Sequence, residues 1–273
     1  MLCVSSCPSD CFEINGFDFY SLIGKLRKIQ SSVGPPVLGC RDHPQTHSHV
    51  TTFCFGFFSE EHIIALSVFM NKYLQIDVSE CADCRNSFII DALDKRIRNV
   101  ETKTSIGAVD KIRLIKNKTD LVFKAVSYDR RGFFKAIKDL TRKQTAGIFG
   151  DEDHGEERKA YSAKTVPFKR GLLNRVLESS PEETRKVLLS NYYYTVDAAD
   201  TCDHCFACIG MCPTGALKIE MKGDDRDLVF SASLCNGCGL CDSFCPKDSI
   251  ALVKGFSGDN PVDFSSVRKK ART

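Results

Sequence analysis

Eight cysteines between residues 202 and 245 fall in two copies of one pattern, and nothing else in the chain limits its possible folds so tightly. Cys202, Cys205, Cys208 and Cys212-Pro213 run C-x-x-C-x-x-C-x-x-x-C-P, and Cys235, Cys238, Cys241 and Cys245-Pro246 repeat the order. Thiolates three residues apart on a loop can wrap three corners of one iron–sulfur cube, while the fourth points away and closes a neighbouring one. The expected ligand sets are therefore crossed: Cys202, Cys205 and Cys208 with Cys245, and Cys235, Cys238 and Cys241 with Cys212. Zinc modules usually pair two separate C-x-x-C knuckles, which a continuous run with two Cys-Pro endings does not fit.

The residues around the motifs read as short strands. Ala216–Met221 and Leu228–Phe230 bracket a Gly223-Asp224-Asp225 turn, which predicts a hairpin joining the repeats. YYYTV (192–196) and SIALV (249–253) can pair as a second hairpin. Gly237 and Gly239 leave room for backbone amides beside cluster sulfide, and Ile209, Leu217, Phe244 and Ile250 are expected to bury the clusters. On these motifs the segment resembles bacterial-type two-4Fe-4S (dicluster) ferredoxins over about 60 residues. The resemblance implies one-electron transfer at low potential.

The whole chain has 273 residues and fifteen cysteines. No secretory signal follows Met1, and no apolar run approaches the roughly 20 residues of a membrane span, so a cytoplasmic location is expected. Thiols stay reduced there, and dense cysteines read as metal ligands rather than disulfides. A net charge of +3 argues for no nucleic-acid partner. Between Lys95 and Lys143, however, 15 basic residues face 5 acids, enough for that segment to dock an acidic surface.

Residues 17–125 alternate helical and extended patterns: a helix over Phe17–Gln30, strands PPVLGC and HVTTFCFG, a helix capped by Ser59 running to Asn71, a strand YLQIDV, a helix over Asn86–Val100 and a strand KIRLIKN. That alternation predicts a small α/β unit with a mainly parallel sheet, so the complete chain is expected to be α+β with a C-terminal ferredoxin-type domain. In a parallel sheet the carboxyl ends share one edge, where ligands bind. Cys40, Cys54 and the pair Cys81-Ala-Asp-Cys84 lie at or just past three such ends. Together they suit a further iron–sulfur cluster or zinc; separately they would be buried small hydrophobes plus a redox C-x-x-C pair. His43, His47 and His49, in the loop between two of those strands, are either solvated or additional ligands.

The opening stretch CVSSCPSDC repeats the spacing of Cys208–Ala216, with Cys3 and Cys7-Pro8 standing where Cys208 and Cys212-Pro213 stand and Cys11 in place of Ala216. It reads either as the second half of a ferredoxin motif or as a ragged, metal-free end. Arg130-Arg131-Gly-Phe-Phe opens a basic amphipathic helix over 128–143 rather than a twin-arginine signal, and Gln144–Lys164 reads as a polar linker. Helices are expected over Phe168–Glu178 and Pro181–Ser190, and RKKAR closes a frayed tail. The arrangement resembles a group of poorly characterised dicluster iron–sulfur proteins.

The expected division is a partial motif (1–16), a cysteine-rich α/β domain (17–125), a helical and polar linker region (126–191), the dicluster domain (192–256) and a basic tail (257–273). The functional expectation is an electron carrier, or a subunit of a larger oxidoreductase, with protein redox partners and two 4Fe-4S clusters. Two rivals are a thiol–disulfide enzyme using Cys81 and Cys84, and a redox or iron sensor. Nucleotide-binding, P-loop and zinc-protease fingerprints are missing from the sequence.

Overall fold

The computed structural model describes residues 1–43, 47–126, 164–223, 225–258 and 260–269. The expected basic helix over 128–143, its RRGFFK start and nearly all of the polar linker lie outside the described residues.

The first half is built on four parallel strands in the order β2-β1-β3-β4: β1 Val37–Cys40, β2 Val50–Thr52, β3 Leu74–Asp77 and β4 Ile112–Ile115. Every residue of β1 and of β3 is buried, as expected of central strands covered on both faces. After the short α1 (Leu2–Ser6), α2 (Phe19–Ser32) forms because Phe19, Leu22, Ile23 and Leu26 make one apolar stripe and the Asp18 carboxylate accepts the Tyr20 N–H at 2.9 Å. Helix α3 (Glu60–Phe69) ends two residues before the expected Asn71, and α4 (Ile89–Thr104) runs one turn past the expected Val100 to a left-handed Ser105. The short α5 (Ala108–Lys111) leads into β4.

Nine residues join β1 to β2, and those described among them form no crossover helix. His49 holds the loop. Its Nδ1 accepts the Val37 N–H at 3.0 Å, its N–H donates to the Val37 carbonyl at 2.9 Å, and its Nε2 lies 2.9 Å from the Lys124 carbonyl. With both ring nitrogens engaged, His49 is a strand clamp and not a ligand. Buried Gln75 does similar work, its amide bonding both the carbonyl and the N–H of Val122 at 2.8 Å.

The stretch assigned to a linker region contains two well-packed helices, α6 (Phe168–Ser179) and α7 (Glu182–Tyr192), the latter with Pro181 at the N-cap rather than the first turn. Helix α6 packs against α3, and α7 against α4. Tyr192 donates to Glu60 at 2.8 Å, and Lys103 pairs with the same carboxylate at 2.6 Å. One apolar core consequently runs from Phe19 through Leu173 to Ile250 without a break.

In the C-terminal unit, β5 (Tyr194–Ala198) pairs antiparallel with β8 (Ile250–Lys254), and β6 (Leu217–Lys222) with β7 (Asp225–Phe230). Residues expected in a frayed tail extend both pairs: β9 (Ser265–Ser266) adds to β7, and β10 (Arg268–Lys269) runs parallel to β5.

His62 makes the fold sensitive to acid. It stands at the third position of α3, where a capping box carries Glu or Gln, and its Nδ1 accepts the Ser59 N–H at 3.3 Å. Burial, helped by the charges of Lys169 and Arg96, pushes its pKa down to about 3 from 6.5. Below pH 6.5 the unfolded imidazole takes up a proton that the folded one refuses, so this contribution is complete above 6.5 and is lost as pH falls toward 3. Its full size is about 5 kcal/mol. His62→Gln, which keeps a side-chain acceptor, is expected to flatten stability between pH 6.5 and 4 in denaturant melts at matched iron content. An unchanged slope would exclude His62 as the cause.

Candidate cluster-binding sites

Two cavities of similar size lie inside the C-terminal unit. The first, about 360 Å³ counted with its mouth open to solvent, is walled by Cys202, Cys205, Cys208 and Cys245 with Leu228 and Ile250. The second, about 290 Å³, is walled by Cys212, Cys235, Cys238 and Cys241 with Leu217 and Leu252. Each brings together three cysteines of one repeat and the Cys-Pro cysteine of the other. Of the four apolar residues expected to cover the clusters, Leu217 and Ile250 are buried and Ile209 is half-buried against the core. Phe244 is not: it follows the four-residue helix α9 (Leu240–Ser243) and is 58% exposed.

The repeat extends to the backbone. His204 and Phe206 in the first loop have φ of 56° and 59°, and Gly237 and Gly239 at the matching places in the second have 75° and 74°. These left-handed turns fold each C-x-x-C-x-x-C loop back on itself, and only the second uses the glycine that such angles favour. After the loop comes a short helix, α8 (Ala207–Met211) in the first repeat and α9 in the second, with Cys208 or Cys241 at its second residue.

Burial pushes the thiols of Cys208 and Cys235 up to about 11 and that of Cys241 up to about 12. Neighbouring cysteines add to the shift, and the neighbours are the crossed sets: Cys202, Cys205 and Cys245 act on Cys208, and Cys235, Cys212 and Cys238 act on Cys241. For Cys235 the Gly237 amide and the buried Arg170 guanidinium pull the other way. Burial also acts on Cys212, but the Thr214 hydroxyl and the amides of Leu217, Thr214 and Ala216 hold it below its ordinary value. Cys208, Cys235 and Cys241 therefore stay protonated at neutral pH until a cation displaces the proton. The donor set is all sulfur, and the first cavity also holds the buried, unpartnered Nδ1 of His204. Both cavities fit an iron–sulfur cluster.

The N-terminal stretch takes the same backbone path as the Cys-Pro halves. Cys3 is the second residue of α1, as Cys208 is of α8, and Cys7 ends its helix at φ −75°, ψ 116° where Cys212 has −77° and 111°. Three residues later Asp10, Gly215 and Asp248 all have positive φ, at 48°, 73° and 46°. The Cys11 N–H points at the Cys7 sulfur at 3.4 Å, as the Ser249 N–H points at Cys245 at 3.3 Å. This end is not ragged. Lys169 on α6 holds it by donating to the carbonyls of Val4, Ser5 and Cys7 and pairing with Asp10 at 2.9 Å.

At the parallel sheet, Cys40 closes β1, Cys54 sits just past β2 as the cap of the 55–57 turn, and Cys81 and Cys84 occupy tight turns after β3. Cys40 is buried and the other three are half-buried. His47 rests its ring on Phe123. Among the described residues no three Cys, His, Asp or Glu side chains are grouped closely enough to hold a single metal ion. The zinc reading of the strand-end cysteines therefore gains no support, whereas a cluster, whose ligands bond different irons, requires no such grouping.

Residues 201–249 match the family model of the 4Fe-4S dicluster domain. Over 63 residues the chain is 40% identical to the polyferredoxin protein MvhB of Methanothermobacter marburgensis, a stretch covering 20% of this chain and 15% of that protein. No solved structure matches the chain. Among the described residues no helix is long and apolar enough to cross a membrane. Residues 201–249 are a 4Fe-4S dicluster domain, an iron–sulfur electron-transfer module of the ferredoxin kind, carried within a longer chain.

Proposed function

We propose that this chain relays single electrons through two 4Fe-4S clusters, one on Cys202, Cys205, Cys208 and Cys245 and the other on Cys235, Cys238, Cys241 and Cys212, as a carrier or as a subunit of a larger oxidoreductase. The observation that carries the reading is the make-up of the two cavities, each closed by the Cys-Pro cysteine of the opposite repeat. When bound, such clusters supply one-electron chemistry at low potential.

The chain's own residues set the terms of that transfer. The Thr214 hydroxyl and nearby amides act on Cys212, and the Ser249 amide points at Cys245; donors of this kind withdraw charge from a ligating sulfur. Arg170 brings a fixed positive charge near Cys235, with its Nε and one terminal nitrogen buried and unpartnered. Leu217, Leu228 and Ile250 shield the cavities from water, and the exposed Lys247–Asp203 pair, at 2.8 Å, crosses the rim of the first. A reducing, cytoplasmic setting, which keeps ligand thiols available, and protein donors and acceptors complete the reading. A thiol–disulfide enzyme fits less well. Such chemistry needs a ready thiolate, and burial, reinforced by Cys40, Cys54 and Cys84, pushes Cys81 up to about 12.

Cysteine-to-serine variants of the anaerobically purified full chain test the proposal. Cys245→Ser is expected to alter the same electron paramagnetic resonance signal of the reduced protein as Cys202→Ser, and Cys212→Ser the same one as Cys238→Ser. Grouping of Cys245→Ser with Cys238→Ser would overturn the crossed assignment.

A further inference from the structure

The sheet register carries Cys40, Cys54, Cys81 and Cys84 to one place although up to 44 residues separate them in sequence. Cys40 lies opposite Thr52, so Cys54 is two residues past its own partner strand's last paired position. On the other side Leu38 pairs with Ile76, and continuing that register sets Val78 beside Cys40. The chain then doubles back: the Cys81 N–H bonds the Val78 carbonyl at 3.0 Å and the Cys84 N–H bonds the Cys81 carbonyl at 3.3 Å. Both cysteines of the C-x-x-C pair thus stay above the end of β3, next to β1. The three strands are adjacent and parallel, with Cys40 on the middle one.

Two further observations point to this edge. Besides burial and Asp42, the Cys40 thiol feels Cys54 and Cys84, and Cys81 feels Cys40, Cys54 and Cys84. Cys81 therefore lies within electrostatic reach of the other three, and Cys40 of Cys54 and Cys84, as Cys208 and Cys241 lie within reach of their partners in the C-terminal quartets. Second, two buried polar atoms here have no hydrogen-bond partner: the hydroxyl of Thr52, paired with Cys40, and Oδ2 of Asp77, the last residue of β3. Protein interiors rarely leave such groups unsatisfied, and the Thr52 hydroxyl is a donor that a cluster sulfide would complete.

We infer that Cys40, Cys54, Cys81 and Cys84 together hold a third iron–sulfur cluster at the carboxyl edge of the parallel sheet. The donor set is four thiols, the composition that suits iron–sulfur clusters. The N-terminal segment links this edge to the second quartet. Met1 lies against Gly56, two residues past Cys54, and Asn236, which follows Cys235, donates to the Pro8 carbonyl at 3.3 Å. A cluster at the sheet edge would have this strap as its protein path to the C-terminal pair.

Iron, zinc and acid-labile sulfide counts on the full chain, reconstituted and handled without oxygen, test the inference. The unmodified chain is expected to hold about two or four irons beyond the roughly eight of the dicluster domain, with matching sulfide. Serine at Cys40, Cys54, Cys81 or Cys84 should each remove that same increment and leave about eight irons. If buried Cys40→Ser does not fold, Cys54→Ser and Cys84→Ser, at half-buried positions, decide the matter. A wild-type count stopping at about eight, one zinc without extra sulfide, or unequal losses among the folded variants would overturn it. Cys245→Ser separates this inference from the crossed dicluster assignment, because the extra irons should survive in that variant.

Discussion

Lys169→Met is expected to release the N-terminal segment from the body of the protein at a cost of about 3–5 kcal/mol. The ammonium is almost entirely buried, its side chain 7% exposed, and it stands where α1 ends and its carbonyls lack helical partners. It donates to the carbonyls of Val4, Ser5 and Cys7 and pairs with the Asp10 carboxylate, which also accepts the Lys169 backbone N–H at 2.8 Å. Asp10 therefore serves two masters: the cation, and the first turn of α6, whose exposed amides favour an anion. Methionine fills the volume and offers no side-chain donor, leaving a largely buried carboxylate without its counter-charge and several carbonyls without partners. Amide hydrogen exchange of residues 1–12 should become fast while residues 194–198 and 250–254 keep their protection. Asp10→Asn retains an acceptor and should cost less, and the double variant should cost less than the two singles added, because both remove the same interaction. Unchanged exchange in Lys169→Met would show that something else holds the segment.

What the sequence disclosed and what it withheld divide along the range of the interactions. The eight cysteines of residues 202–245 are legible because ligand geometry is written into local spacing. The parallel sheet is legible because buried strands such as Val37–Cys40 and Leu74–Asp77 are nearly continuous apolar runs. Helix α3 was readable at its start and misjudged at its end, where Asn71 leaves the helix so that its N–H can bond the side chain of Gln30 at 2.9 Å. Helices α6 and α7 were legible as helices but not as core, since their partners, α3 and α4, lie about a hundred residues earlier. The tail strands are two residues each and carry serine, arginine and lysine, so no alternation could announce them. His49 had the composition of a solvated loop and became a clamp because Val37 and Lys124 reach it from other segments. The kinship of CVSSCPSDC with the Cys-Pro halves was visible in spacing; that it is held in the same backbone turn depends on Lys169, and no local pattern points to that residue.

Gly237→Ala should be the most damaging of the glycine changes around the second quartet, and Gly239→Ala clearly milder, although the two glycines have nearly the same backbone angles. A side chain at φ near +75° costs about 1–2 kcal/mol for either. Surroundings separate them. A Cβ on Gly239 meets nothing within 4 Å, whereas one on Gly237 would lie 2.4 Å from the Tyr194 ring and 2.7 Å from its hydroxyl. That ring projects from β5, whose Tyr194 pairs with Lys254, so Gly237→Ala forces it into a new position beside the second cavity. Overpacking of this kind adds about 1–3 kcal/mol, bringing Gly237→Ala to about 3 kcal/mol in all. The first repeat supports the distinction, since His204 and Phe206 occupy the matching places with side chains in full. In air, visible absorbance should bleach markedly faster for Gly237→Ala than for wild type, with Gly239→Ala between the two, and melts should rank the three the same way. Combining Gly237→Ala with Tyr194→Ala should bring the bleaching rate back toward that of Tyr194→Ala alone. Equal losses at the two glycines would mean that the angle, and not the tyrosine, sets the requirement.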